Sequence, residues 1–209
     1  MLFRSPIVRY SDVALQLKSR THSLENCRLG AGRFLVGLGK KILLANLLGE
    51  VCTAWHGTQD GSVLFSWMYA AAYTLHIYFD FSGYSDMAIG LGRMFGFHFP
   101  ENFRHPYVSR SITEFWRRWH ISLSTWFRDY VYFPLGGSRC AKWKNYRNIL
   151  IVFLLSGLWH GASWSFAVWG LLHGFYQIAG KVTKPYREKA LCAMKINTEA
   201  GSYRVFRMA

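Results

Sequence analysis

Acidic residues are scarce in this sequence, with 11 Asp and Glu against 25 Lys and Arg, and the familiar catalytic loops are absent. No G-x-S-x-G elbow occurs, which excludes the common serine hydrolases, and no glycine-rich phosphate loop occurs. The four cysteines are widely spaced without a C-x-x-C pair, so neither a metal site nor a disulfide framework is expected. No cleavable signal peptide is visible. The function therefore has to be inferred from the arrangement of charged and apolar stretches.

The basic charge is concentrated in two blocks that flank an uncharged stretch. Residues 93–147 and 181–209 are strongly basic, whereas residues 148–180 contain no Asp, Glu, Lys or Arg. A net charge of +14 is compatible with nucleic acid, an acidic polymer or the cytoplasmic loops of a membrane protein. The uncharged stretch between the blocks favours the loops of a membrane protein. We therefore expect the lipid bilayer as a partner, and no nucleic acid.

Three apolar stretches approach the length of about 20 residues that a membrane-crossing helix needs. They are residues 34–55, 63–81 and 149–178. The third corresponds to about 45 Å of helix, too long for one upright span, and it contains SGLWHGAS near its first third. This pattern predicts a broken, re-entrant or paired arrangement. The predicted fold class is therefore all-α, a polytopic transmembrane helical bundle with amphipathic interfacial and re-entrant helices.

Charge counting gives a topology for these stretches. Lys40 and Lys41 are expected on the cytoplasmic side, Asp60 on the opposite side, and Arg93 on the cytoplasmic side again. The basic block 93–147 is then cytoplasmic. Multiple crossings of this kind predict a multi-pass membrane protein.

Residues 112–130 have the periodicity of an amphipathic helix. Aromatic side chains occupy one face and arginines the other, which is typical of a helix lying in the membrane interface. His120 lies at the edge of the aromatic face. The helix is expected to end before Pro134 and the turn at Gly136.

Two histidines are candidates for chemistry. His160 lies in the uncharged stretch, where an ionisable group is a functional candidate by default and a neutral imidazole is a workable general base. His120 is the second candidate, because its helix position allows it to face the bundle. His173 has no polar neighbour and is interpreted as structural. The strings His56 to Asp60 and His76 to Asp80 match an H-x-x-x-D spacing, which eight histidines and eleven acids produce readily by chance.

Three long motifs resemble the membrane-bound O-acyltransferase family, nearest to its alginate O-acetyltransferase-like branch, with teichoic acid D-alanyl transferases as a related branch. They are YFDFSGYSDMAIGLGRMFGF (78–97), NFRHPYVSRSITEFWRRWHISLSTWFRDYVYFPLGGSR (102–139) and LSGLWHGASWSFAVWGLLHG (155–174). The resemblance implies that His160, in the L-W-H-G motif, is catalytic. It also implies that His120, in W-R-R-W-H-I-S, lies near the reaction chamber.

The resemblance further implies a division of the chain. Residues 6–180 correspond to part of the family's membrane domain, and members are longer, with further spans at both ends. Residues 181–209 are interpreted as a basic cytoplasmic loop or truncated tail, and residues 1–5 as an artefact.

The expected function is transfer of an acyl group, foremost acetyl, to an exported polysaccharide such as alginate. The resemblance implies a cytosolic thioester donor, acetyl-CoA or an acyl carrier protein, with no bound cofactor. It also implies a periplasmic acetyltransferase partner and a location in the bacterial inner membrane. The alternative is a polytopic transporter or channel component in which the two histidines line a permeation path.

Overall fold

The computed structural model of the chain describes residues 6–58 and 62–194, and the regular elements in them are all helical. This confirms the all-α class. None of the described helices combines the length and the apolar content that crossing a membrane requires. Residues 1–5, Asp60 and the end of the predicted tail lie outside the described residues. The chain divides into two compact units, one up to Asn102 and the other from Phe103 onward.

The first unit contains four α-helices in its described part. They are α1 (Tyr10–Lys18), α2 (Leu24–Gly39), α3 (Asn46–Gly57) and α4 (Val63–Met94), with a π-helical turn, Lys40–Ala45, joining α2 directly to α3. Serine residues cap the N-termini of α2 and α4. Ser23 Oγ accepts from Asn26 N–H at 3.1 Å, and Ser62 Oγ accepts from Phe65 N–H at 3.3 Å.

Helices α2 and α4 pack with their backbones in contact, because glycines face each other across the interface. A Cβ added to Gly30 would lie 2.6 Å from the carbonyl oxygen of Gly90, and one added to Gly37 would lie 2.6 Å from that of Gly83. The order of these contacts makes the two helices antiparallel. Small residues that allow such close approach are characteristic of helix pairs in membranes.

The two lysines expected on the cytoplasmic side lie within the continuous helical stretch of α2 and α3. Lys40 Nζ is 2.6 Å from Asp86 Oδ2, and Lys41 pairs with Asp80. Arg33 Nη2 also contacts Asp86, at 2.8 Å. Charge counting does not reveal these ion pairs, because it considers each charge alone, whereas the acidic partners lie on α4.

The same helix accounts for one H-x-x-x-D string. His76 Nδ1 donates to the carbonyl oxygen of Ala45 at 2.7 Å, where the π-helical turn ends, and Asp80 is the partner of Lys41. Both side chains therefore hold α4 to the helical stretch beside it. Of the other string, His56 to Asp60, only His56 lies in the described residues. The Tyr69 hydroxyl lies 3.5 Å from His56 Nε2.

The second unit contains α5 (Ile112–Arg118), α6 (Ile121–Phe127), α7 (Lys142–His160) and α8 (Trp164–Ala193) in its described part. A π-helical turn, Arg128–Tyr132, follows α6, so the helical segment ends before Pro134 as predicted. Gly136 and Gly137 have φ of 99° and 55°, a conformation that glycine adopts without strain, and they turn the chain toward α7.

Helices α7 and α8 form an antiparallel hairpin, so the third apolar stretch, expected to be broken, re-entrant or paired, is two packed helices. The break is at Gly161, after which Ser163 Oγ caps α8 by accepting from Ser165 N–H at 3.3 Å. A Cβ added to Gly157 would lie 2.2 Å from the carbonyl oxygen of Phe166 and 3.3 Å from Cα of Gly170. The hairpin is therefore closed by direct backbone contact.

Helix α8 continues beyond the predicted boundary at residue 180. Residues 181–193, expected to belong to a basic cytoplasmic loop or truncated tail, are helical despite Pro185. The segment YREKALCA after the proline consists mainly of good helix formers, and Lys184 and Glu188 form an i,i+4 pair at 3.7 Å. Polarity alone did not reveal this helical propensity.

The backbone contact in the α7–α8 hairpin predicts opposite effects of alanine at two glycines. Gly157→Ala should lower the free energy of unfolding by about 1–3 kcal/mol, because its Cβ meets backbone that has to move. Gly180→Ala on α8 should raise it by up to about 1 kcal/mol, because no described atom lies within 4 Å of that Cβ and alanine favours helix. Thermal unfolding in detergent compares the two variants. Equal stability of both would contradict the proposed packing.

Candidate active site

A cavity of about 290 Å³ lies inside the second unit. The walls come from α5, α6, α7 and α8 and from the turns between them. Both candidate histidines, His120 and His160, line this cavity, although they are 40 residues apart in sequence. The structure therefore places on one cavity the two histidines that were predicted from separate sequence motifs.

His120 is placed by a break in the predicted amphipathic helix. The prediction of one helix over residues 112–130 is wrong, because α5 ends at Arg118, Trp119 is extended, and His120 has φ 46° and ψ 56°. A left-handed conformation is uncommon for a residue with a side chain, although histidine adopts it more often than most, and it costs roughly 1–3 kcal/mol. No Gly or Pro occurs at the break, and the helical periodicity of the sequence continues through it. The sequence therefore contains no indication of the break.

The break turns the His120 side chain into the interior. His120 is 3% exposed, and its ring packs against Trp159 with the centroids 5.9 Å apart. Ser122 Oγ lies 3.4 Å from Nδ1. Burial and, to a smaller extent, the positive charge that His160 can carry together lower the pKa of His120 to about 3. His120 is outside the stretches predicted to cross a membrane, and it is neutral at physiological pH.

His160 is the last residue of α7 and is surrounded by aromatic rings. Its ring centroid is 5.1 Å from Trp159 and 5.3 Å from Trp169, both edge-on, and 6.0 Å from Phe166. Within the described part of the chain, no group forms a hydrogen bond with the His160 ring. Its nitrogens therefore remain available to a ligand in the cavity, and the surrounding rings limit access by water.

His173 does not belong to the cavity lining. Its ring lies 4.7 Å from that of Trp169 and 5.2 Å from that of Trp116, between α5 and α8. Its Nδ1 is buried and has no hydrogen-bond partner among the described residues. This packing agrees with the structural interpretation of His173 and separates it from the two cavity histidines.

Three polar residues of the cavity were not identified from the sequence. Gln177 on α8 and Thr113 on α5 are joined by a hydrogen bond, in which Thr113 Oγ1 donates to Gln177 Oε1 at 2.6 Å. Arg117 follows Thr113 by one helical turn and also lines the cavity. Gln177 is the single side-chain amide of the apolar stretch 149–178, and this isolation is the sequence signal that could have identified it.

The arrangement suits proton transfer to and from a ligand held among aromatic walls. Two imidazoles line one cavity, and His120 is uncharged there, so it does not oppose a positive charge forming on His160. Within residues 6–58 and 62–194, no group of three or more His, Cys, Asp or Glu side chains is arranged to hold a metal ion.

Comparison with known proteins gives one family. The family model described as membrane-bound O-acyltransferase matches residues 1–209. The probable alginate O-acetylase AlgI of Pseudomonas syringae is 51% identical over 189 residues, which are 88% of this chain and 36% of that protein. A peptidoglycan O-acetyltransferase of Helicobacter pylori is 43% identical over 177 residues, 83% of this chain and 34% of that protein.

A more distant relative is a teichoic acid D-alanyltransferase of Bacillus subtilis, 37% identical over 137 residues, which are 60% of this chain and 34% of that protein. The chain spans about a third of the length of the curated relatives it matches. The family match nevertheless covers the whole chain, including both cavity histidines. The chain belongs to the membrane-bound O-acyltransferase family.

Proposed function

We propose that the protein is a membrane O-acyltransferase that transfers an acetyl group from a thioester donor to hydroxyl groups of an exported polysaccharide. The observation that carries this proposal is the position of His120 and His160 on one cavity, together with membership of the family. An imidazole on this cavity can supply what acyl transfer to a hydroxyl needs, because the hydroxyl has to lose its proton as it attacks.

The names of the relatives support the choice of substrate. Two of them specify O-acetyl transfer, one to alginate and one to peptidoglycan, and a third specifies transfer of D-alanine to teichoic acid. All three names specify a polymer as the acceptor. We infer acetyl as the transferred group and a polysaccharide such as alginate as the final acceptor, either directly or through a periplasmic acetyltransferase partner. The donor is acetyl-CoA or an acyl carrier thioester.

His160 acts as the general base in this proposal. Its free ring nitrogen accepts the proton of the acceptor hydroxyl while the oxygen forms a bond to the thioester carbonyl carbon. The carbon–sulfur bond then breaks, and the thiolate takes up the proton that His160 received. His120, buried and neutral beside Trp159, helps to orient the reacting groups. The aromatic walls keep water from hydrolysing the thioester.

The helices are proposed to lie in the bacterial inner membrane as part of a multi-pass bundle. Large apolar side chains on α4 and α8 support this, since Trp67 is 72% exposed, Phe175 62% and Val168 61%. Such a surface is unfavourable in water and suits lipid. The glycine contacts in both units agree with helix packing in a bilayer. The basic block 93–147 is then cytoplasmic.

Replacement of His160 tests the proposed base. In a bacterium lacking its own enzyme, His160→Ala should lower ester-linked acetyl on the secreted polysaccharide by at least about 100-fold, because general-base catalysis contributes about 10²–10⁴-fold. The matched control is His22→Ala, which changes an exposed histidine outside the cavity and should retain acetylation.

The outcome separates the enzyme from the alternative. Normal acetylation by His160→Ala, at equal amounts of protein in the membrane, would remove His160 from the mechanism. Purified protein that neither transfers nor hydrolyses an acyl donor would favour the transporter.

The neutrality of buried His120 predicts acid sensitivity. Since its pKa of about 3 lies below the value of about 6.5 in the unfolded chain, the unfolded state binds more protons between these limits. The free energy of unfolding is therefore unaffected by His120 above pH 6.5. Below that pH it falls by about 1.4 kcal/mol per pH unit as the pH approaches 3. His120→Asn tolerates the left-handed backbone and does not titrate.

Unfolding in detergent at pH 7.5 to 4.5 measures this difference. The free energy of unfolding of the wild type should fall relative to that of His120→Asn by about 2–3 kcal/mol between pH 6.5 and 4.5. Above pH 7 the two curves should run parallel. Parallel curves over the whole range would show that His120 is not held neutral by burial.

A further inference from the structure

Basic residues from two separate parts of the sequence meet at one end of the α7–α8 hairpin. Because Gly157 and Gly170 lie opposite each other in antiparallel helices, the start of α7 lies beside the last turns of α8. In this register Lys181 Nζ donates to Asn145 Oδ1 at 2.9 Å. We call this end of the hairpin the basic end. Its exposed cationic residues are Arg139, Lys142, Lys144, Arg147, Lys181, Lys184, Arg187 and Lys189.

Most of the positive charge of the basic end is uncompensated. Residues 139–147 contain no acid, and residues 181–189 contain Glu188, which pairs with Lys184 at 3.7 Å. Among the described residues, the other cations of the basic end form no ion pair. The remainder of the hairpin, residues 148–180, carries no Asp, Glu, Lys or Arg. The charge of the hairpin is therefore concentrated at one end, where it attracts anions.

Three side chains at the start of α7 form an ordered cluster within the basic end. Trp143 is 61% exposed, and its ring centroid lies 5.7 Å from Lys144 Nζ and 5.5 Å from the guanidinium carbon of Arg147. Arg147 Nη2 donates to Oδ1 of the buried Asn148 at 3.1 Å. Asn148 Nδ2 donates in turn to the carbonyl oxygen of Leu135 at 2.8 Å. Since the Asn148 amide is neutral, it orients the guanidinium without cancelling its charge.

An exposed apolar stripe on α8 leads directly to the basic end. Its members recur at helical spacings, so they lie on one face of the helix. They are Val168, Leu172, Phe175, Val182 and Tyr186. From its first member to its last, the stripe is about 27 Å long. The stripe and the cations therefore form one continuous surface, which is apolar along its length and basic at its end.

Lipid is the partner that matches both parts of this surface. An acidic protein would neutralise the cations but leave the stripe in water, whereas a bilayer covers the stripe with acyl chains and presents phosphates to the cations. Tryptophan and tyrosine are enriched where the acyl chains of a bilayer meet the headgroups. Trp143 and Tyr186 are exposed at the basic end, where this boundary would lie.

We propose that the basic end of the α7–α8 hairpin binds the phosphate of an anionic phospholipid, with Lys144 and Arg147 contacting the phosphate beside Trp143. The inference rests on the membrane location in the proposed function and does not depend on acyl transfer. The planar donors of the Arg147 guanidinium match phosphate geometry, and the neighbouring Lys142 adds charge. A choline headgroup carries its own positive charge, so the site should distinguish phosphatidylglycerol from phosphatidylcholine.

Native mass spectrometry of the purified protein in a nonionic detergent tests the proposal, because it resolves the complexes formed with each lipid. The probes are dioctanoyl phosphatidylglycerol and dioctanoyl phosphatidylcholine, which have the same acyl chains. Each cation near an anionic lipid contributes a factor of about five to affinity, so the wild type should prefer phosphatidylglycerol by at least about 25-fold. The double variant Lys142→Gln with Lys144→Gln should lower phosphatidylglycerol affinity about 10- to 25-fold and leave phosphatidylcholine affinity unchanged.

The matched control removes the same number of charges at another place. The double variant Lys18→Gln with Arg104→Gln changes two exposed cations outside the basic end, and it should bind both lipids as the wild type does. The charge-retaining variant Lys142→Arg with Lys144→Arg should keep the preference for phosphatidylglycerol. Thermal unfolding of each variant shows whether it remains folded. High salt should reduce the preference of the wild type, because it screens exposed charges.

Three results would overturn the inference. They are equal affinity of the wild type for the two lipids, an equal loss of both lipids in the Lys142→Gln and Lys144→Gln variant, and an equal loss of phosphatidylglycerol affinity in the control variant. If an acidic acyl carrier protein binds the wild type but not the Lys142→Gln and Lys144→Gln variant, while both keep the same lipid preference, the basic end would belong to a protein partner.

These outcomes are separate from those that test the enzyme, since no lipid measurement involves acyl transfer. If His160→Ala abolishes acetylation while the two lipids bind equally, only the lipid inference falls. Binding of neither lipid would overturn the proposed membrane location together with the lipid site.

Discussion

Helices α7 and α8 touch through their backbones, because Gly157 and Gly170 place no side chain between them. This contact fixes the register of the hairpin and therefore the position of each cavity residue along the helix axes. His160 is held near the turn, and Gln177 is held about 15 Å along the axis. A larger residue at either glycine would separate the helices and change this register. The relative positions of these two cavity residues thus follow from a backbone contact away from the histidines.

The second constraint is the break between α5 and α6. Had residues 112–130 formed one straight helix, His120 would have remained at the edge of an amphipathic surface. The left-handed backbone at His120 redirects the chain and places the imidazole among Trp159 and the buried part of α6. A conformation of this kind persists only where surrounding packing enforces it. Here the stacking of Trp119 on Phe115, with centroids 5.6 Å apart, supports the bend from the α5 side.

The sequence predicted what depends on local pattern and missed what depends on distant partners. The all-α class followed from long apolar periodicity, and the break after His160 followed from the glycines beside it. The break at Trp119 carried no such marker. The ion pairs of Lys40 and Lys41 depended on acids far along the chain, and the Thr113–Gln177 hydrogen bond joins residues 64 positions apart. Such pairings arise from packing, which periodicity and charge counting do not contain.

The two histidines differ in burial and in hydrogen bonding, which suits different roles in the proposed reaction. His120 is almost completely buried, and its pKa is too low for it to carry a proton at neutral pH. His160 lines the cavity with no hydrogen bond from the described residues to its ring. If both imidazoles were charged, their repulsion within one cavity would oppose the reaction. In the proposed mechanism, a His120 that is neutral at neutral pH leaves His160 to hold the proton during transfer, as a general base beside a thioester requires.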